Sequence, residues 1–114
     1  MNELCILILD DEERLRDEMG EFLKKRNYKV LLSGHPDDFF VLLKNHLVDI
    51  AIVDIRLPKM SGLEVLKQVR VLSPETEVIM ISGHGDMNSV IEAMRHGAFD
   101  YFQKPFRAHD VQLA

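Results

Sequence analysis

Short unbroken apolar runs alternate along this chain with longer stretches in which apolar residues recur at helical spacing. Leu4 to Leu9 (LCILIL) is a continuous apolar run of strand length that stops at Asp10, as expected of a strand buried on both faces. From Glu12 to Asn27, Leu15, Met19, Phe22 and Leu23 fall on one stripe of a helix. Its acids come early and Lys24, Lys25 and Arg26 late, the sense that complements the helix dipole. Tyr28 to Leu32 predicts a second strand. Pro36 suits the first turn of a second helix running to about His46, with Phe39, Phe40, Leu42, Leu43 and Leu47 as its apolar residues. The cycle then repeats. Asp49 to Val53 predicts a third strand ending at Asp54, RLPKMSG a loop, and Ser61 the cap of a helix carrying Leu63, Leu66 and Val69. Val78 to Ile81 predicts a fourth strand, SGHGD a loop, Asn88 to His96 a helix ended by Gly97, and Ala98 to Phe102 a fifth strand. A last helix is expected to begin near Phe106, where the residues up to Ala114 allow about two and a half turns.

Five strands alternating with helices, three of them nearly unbroken in apolar character, indicate a parallel sheet covered on both faces. The expected fold is α/β, a flavodoxin-like doubly wound five-stranded parallel sheet of strand order 2-1-3-4-5, with helices on both faces and the last helix truncated. At 114 residues and 13.2 kDa the chain is one domain, residues 1–114. The short last helix suggests the N-terminal part of a longer protein whose output lies beyond Ala114.

Composition narrows the function classes. With 46% hydrophobic residues, 29% charged, four prolines and six glycines, neither a disordered nor a linker-like chain fits. The formal charge of -5 is placed unevenly, because Glu3, Asp10, Asp11, Glu12 and Glu13 carry all of it and the remainder sums to zero. A balanced body lacks the basic stripe of a nucleic-acid footprint, so no direct nucleic acid binding is expected of this domain. The single Cys5, set in an apolar run, excludes a disulfide framework and fits a reducing compartment. There is no apolar run of membrane-spanning length and no basic-then-apolar leader, so a cytoplasmic location with no membrane contact is expected.

In such a sheet, ligands sit beyond the carboxyl ends of the strands, and that rule selects residues. Strand one delivers Asp10 and Asp11 to this rim, strand three Asp54, strand four Ser82 and strand five Lys104. Converging carboxylates repel one another, and the usual remedy at neutral pH is a hard divalent cation held by oxygens, with Mg²⁺ the natural candidate. A cation beside a fixed lysine suits phosphoryl transfer, in which both neutralise phosphoryl oxygens, and a carboxylate nucleophile would yield an acyl phosphate.

Asp10-Asp11 after strand one, Asp54 followed by LPKMSG, Ser82 after strand four and Lys104-Pro105 after strand five together resemble the receiver domain of two-component response regulators. The resemblance covers almost the whole chain. It implies that Asp54 is the phosphoacceptor, and that Asp10, Asp11, Asp54 and the backbone carbonyl of Arg56 bind Mg²⁺. It further implies that Ser82 and Lys104 hold phosphoryl oxygens, that Lys104-Pro105 is a cis peptide aiming the lysine, and that Ser82 and Tyr101 form the switch. The runs MISGHGD and GAFDYFQKPF are most similar to receivers of the nitrogen-regulator class, whose outputs often regulate transcription. Implied partners are a sensor histidine kinase as donor, an output domain beyond Ala114, and a second copy through the helix 4–strand 5–helix 5 face. Arg56 and His84, each two residues past a rim residue, are expected to flank the phosphoryl group and set its lifetime. Gly83 is small enough to leave the site open to a donor's histidine.

Each position also has a plainer reading. DDEE could be only an acidic helix start, Asp54 a turn residue, and Tyr101 a half-buried strand residue; it is the joint placement on one rim that favours a site. His35, His46, His96 and His109 are expected at the surface, and Met60, Met80, Met87 and Met94 as core or loop filler. Two other functions remain open. A Mg²⁺-dependent aspartyl-phosphate phosphatase or phosphotransferase usually has a second acid two residues after its nucleophile and an inserted cap, whereas here that position is Arg56 and no insertion is present. A phosphorylation-independent binding module would not need the full set of Asp10, Asp11, Asp54, Ser82 and Lys104. The expected protein is no enzyme toward other substrates and catalyses only its own phosphorylation and dephosphorylation.

Overall fold

In the computed structural model, which describes residues 3–83 and 86–103, the apolar runs form a parallel sheet in the order β2-β1-β3-β4-β5. The strands are β1 (Cys5–Leu9), β2 (Lys29–Ser33), β3 (Ile50–Asp54), β4 (Glu77–Ser82) and β5 (Asp100–Gln103). Between them run helices α1 (Glu13–Lys24), α2 (Pro36–Asn45), α3 (Gly62–Leu72) and α4 (Met87–Arg95). The flavodoxin-like order 2-1-3-4-5 is as expected; the truncated last helix lies outside the described residues.

Alternate residues of the central strands feed two separate cores, as the two-residue period of a strand requires. Leu7, Leu9, Ala51, Val53, Val78 and Met80 pack with Phe39 and Leu43 of α2, Val65, Leu66 and Val69 of α3, and Val90 and Ala93 of α4. Ile6, Ile8, Ile52, Ile79 and Ile81 pack with Met19 and Leu23 of α1 on the opposite face. A strand with a helix layer on each side has no polar positions to show, which is why β1 is apolar throughout.

Helix ends follow local chemistry. α1 stops at Lys24, three residues before the predicted end at Asn27, because Asn27 adopts a left-handed conformation (φ 69°). The Asn27 amide then donates to the Lys24 carbonyl at 3.0 Å and the Tyr28 amide to the Leu23 carbonyl at 3.3 Å, a Schellman closure that turns the chain into β2. α4 closes in the same way through Gly97 (φ 98°). Ser61 caps α3 by accepting from the Glu64 amide at 3.2 Å, as expected. His35, expected only to lie at the surface, is half-buried and caps α2, its Nδ1 accepting from the Asp37 amide at 3.2 Å.

Two further expectations are corrected. Leu47 is 92% exposed and lies beyond the end of α2, so it is no part of that helix's apolar stripe. Met87 and Met94 are exposed on α4 beside Ile91, whereas Met80 is core.

Cys5 is buried in β1, and burial is the main cause that pushes its thiol pKa up. A raised pKa means that little thiolate forms near neutral pH, and burial keeps reagents from it. Cys5 should therefore react with an aromatic disulfide reagent only as fast as the protein unfolds, so that added denaturant accelerates labelling. Rapid stoichiometric labelling of the native protein would contradict this.

Candidate functional site

The rim at the carboxyl ends of β1, β3 and β4 gathers the polar residues that the strands deliver. Asp10 is fully buried, Asp54 and Ser82 are each 3% exposed, and Asp11 is open to solvent. One carboxylate oxygen from each of Asp10, Asp11 and Asp54 lies within 4.8 Å of the other two. In register, Asp54 pairs with Ile81, which puts Ser82 one step beyond it on the neighbouring strand.

The backbone holds these acids in place. Asp10 Oδ1 accepts from the Glu12 amide at 2.9 Å, while the Asp10 carbonyl accepts from Arg16 Nη1 at 2.9 Å. Asp54 Oδ1 accepts from the Arg56 amide at 3.1 Å. Beyond β3 the sheet continues for one bond, as the Ile55 amide donates to the Ile81 carbonyl at 2.8 Å. The chain then turns sharply, and the Gly62 amide donates to the Ile55 carbonyl at 2.7 Å. A Cβ on Gly62 would collide with the Asp54 carbonyl oxygen and stand 2.6 Å from Ile55 Cα. The first residue of α3 is thus packed directly on the backbone of Asp54, a close approach that only glycine permits. In the sequence Gly62 reads only as a loop residue.

Three carboxylates at this separation repel by roughly 3 kcal/mol per pair at an effective dielectric constant of about 20, less for exposed Asp11. The donor set is all oxygen, two of the acids are buried and oriented by amides, and the third faces solvent. Those are the features of a site for a hard divalent cation that keeps part of its water, so the residues present fit Mg²⁺.

A groove of about 710 Å³ opens beside the rim between the β3–α3 loop and the start of α4, with Arg56, Lys59, Met60, Asp86 and Ser89 among its walls. Across it, Arg56 Nε donates to Asp86 Oδ1 at 2.6 Å. Asp86 Oδ2 accepts from the Gly83 amide at 2.8 Å. Asp86 stands at the N-cap position of α4, where a carboxylate ordinarily takes the helix's own amides, yet it turns back to the strand end instead. Asp86 is not evident from sequence alone, because an acid just before a helical stripe points to a cap and not to a partner 30 residues away.

Tyr101 is half-buried on β5 and packs at the border of the core that holds α2, α3 and α4. Lys104, Pro105 and His84 lie outside the described residues, so the rim described comprises Asp10, Asp11, Asp54, Arg56, Ser82, Gly83 and Asp86.

The response regulator receiver domain model matches residues 6–114. The chain is 32% identical over 106 residues to the response regulator protein TodT of Pseudomonas putida, covering 93% of this chain and 47% of TodT. It is also 32% identical over 106 residues to the transcriptional regulatory protein FixJ of Rhizobium meliloti, covering 93% of this chain and 52% of FixJ. The receiver domain of NtrX from Brucella abortus superposes with a TM-score of 0.87 at 31% identity, covering 92% of this chain and 89% of that one. This chain belongs to the response regulator receiver domain family. It spans about half the length of TodT and FixJ.

Proposed function

We propose that this domain accepts a phosphoryl group on Asp54 from a phosphohistidine of a sensor kinase and thereby switches an attached output. The observation that carries the reading is the cluster of Asp10, Asp11 and Asp54 oxygens within 4.8 Å of one another at the strand ends of a receiver fold. Asp10, Asp11, Asp54 and the Arg56 carbonyl would hold Mg²⁺, which when bound offsets negative charge on the phosphoryl oxygens. In the transfer, an Asp54 carboxylate oxygen bonds to phosphorus in line with the breaking N–P bond, and the donor imidazole leaves as the neutral ring after taking up a proton. The product is an acyl phosphate. Attack of water on phosphorus later returns the Asp54 carboxylate and inorganic phosphate. Ser82 and Lys104 are assigned to the phosphoryl oxygens, the Lys104-Pro105 peptide to aiming the lysine, and Arg56 with His84 to the approach of that water.

The switch would be a population shift. Ser82 and Lys104 contact the phosphoryl group better in one of two states, and Ser82 and Tyr101 move together between them. The readout face would be α4, β5 and the segment that follows, for a second copy or an output domain that in relatives such as FixJ belongs to a transcriptional regulator. A cytoplasmic site of action follows from the kinase partner; among the described residues no helix is long and apolar enough to cross a membrane. The domain would catalyse only its own phosphorylation and dephosphorylation.

The deciding experiment is incubation with acetyl phosphate and Mg²⁺, followed by intact-mass and peptide analysis. One phosphoryl group on the peptide containing Asp54 supports the proposal. Turnover of external phosphoesters would favour a phosphatase, and no adduct with or without Mg²⁺ a binding module. A metal test stands beside it: Mg²⁺ at about ten times its dissociation constant should stabilise the fold by about 1.4 kcal/mol through mass action. Thermal unfolding with and without Mg²⁺ measures this, and Asp11→Asn should lose most of the response.

A further inference from the structure

Two donors at the rim are already engaged by an anion of the protein's own. The Asp86 side chain is 4% exposed, although a carboxylate at the start of a surface helix would normally face water. Its two oxygens take the Arg56 guanidinium at 2.6 Å and the Gly83 amide at 2.8 Å. Both donors belong to the phosphoryl site by position. Arg56 is tied through its own amide to Asp54 Oδ1 at 3.1 Å, and Gly83 directly follows Ser82. Adding a phosphoryl group to Asp54 brings more negative charge to this rim, next to a guanidinium and an amide that each suit an anion.

We propose that Asp86 is an internal competitor of the phosphoryl group, an anionic latch that holds Arg56 and Gly83 in the unphosphorylated state and releases them when Asp54 is modified. The inference rests on the receiver reading. The bonds to Asp86 hold the β3–α3 loop, the end of β4 and the start of α4 together. Release would therefore free the N-terminus of α4 at the same moment as it supplies two donors to the phosphoryl oxygens. The groove beside Asp86 gives the displaced side chain and the Arg56 stem room to move. Asp86 acts through Arg56 and Gly83, which makes it a positioning residue. The device also makes a prediction of direction: the latch opposes phosphorylation, so removing its charge should favour the modified state, whereas loss of an ordinary structural ion pair would not.

The test uses Asp86→Asn, whose amide oxygen can still accept from Gly83 while the charge is gone, with beryllofluoride and Mg²⁺ as the phosphoryl mimic. Beryllofluoride affinity should tighten about tenfold, the size of one charge-assisted hydrogen bond released to the ligand. In an Arg56→Gln background the same substitution should tighten binding by less than about threefold, because the cation it liberates is absent. Unchanged or weaker binding by Asp86→Asn, or a gain of equal size in both backgrounds, overturns the latch. Should Asp86→Asn not fold, NMR on the wild type decides. The Arg56 Nε–H and Gly83 amide resonances must both move when the adduct forms, and either one standing still overturns the proposal. Wild type that binds no beryllofluoride at Asp54 sinks the receiver reading and the latch together; wild type that binds while the variants show no coupling sinks the latch alone.

Discussion

Asp54→Asn should form no acyl phosphate under conditions in which acetyl phosphate and Mg²⁺ convert the wild type stoichiometrically. An amide oxygen is a poor nucleophile, and the other two acids at the rim are not its equivalents. Asp10 is fully buried at the end of β1 and Asp11 is open to solvent, whereas Asp54 is the acid that the β3 register places beside Ser82. The substitution is nearly isosteric, and the Asn oxygen can still accept from the Arg56 amide, so the fold should persist. The expected loss of phosphorylation rate is at least about a hundredfold, the scale of removing a group that forms the new bond. Intact-mass analysis after incubation measures it. Phosphorylation of Asp54→Asn at the wild-type rate would mean that a different residue is the acceptor.

The second large effect is structural. Gly62→Ala places a methyl against the Asp54 carbonyl oxygen and the Ile55 backbone, both fixed by the sheet and unable to give way as a flexible side chain would. Either α3 is pushed off the sheet or the Asp54 turn is displaced. Overpacking against backbone should cost about 3 kcal/mol, which for a domain of about 100 residues lowers Tm by roughly 12–24 °C. Thermal denaturation checks the loss, and the surviving folded protein should respond less to Mg²⁺, because the same clash moves Asp54. An unchanged Tm would show that the turn is looser than its geometry indicates.

These two residues differ in how they could be known. Asp54 is legible in the chain because an apolar run ends on it, as another ends on Asp10, and the parallel order that the alternation of runs implies brings both ends to one rim. Gly62 is not, since glycine in a loop is ordinary, and only the return of α3 onto the strand end shows that no Cβ fits. Asp86 is hidden for a related reason. Its neighbours in sequence suggest a helix cap, and its partners are chosen by which loops the folded sheet sets side by side. The helix ends show the same division on a smaller scale. The periodic stripe of α1 continues to Asn27, yet the left-handed turn at that residue closes the helix at Lys24.

Element order, the two-faced burial of the central strands and the acids at their ends are legible in the chain, because hydrophobic period and abrupt polarity changes are local properties. Which alternate residues face which helix layer, how closely α3 approaches Asp54, and the reach of Asp86 to Arg56 and Gly83 instead of its own helix emerge only on folding. Those outcomes depend on distances between segments far apart in the chain, and a local pattern carries no information about such distances until the sheet has assembled.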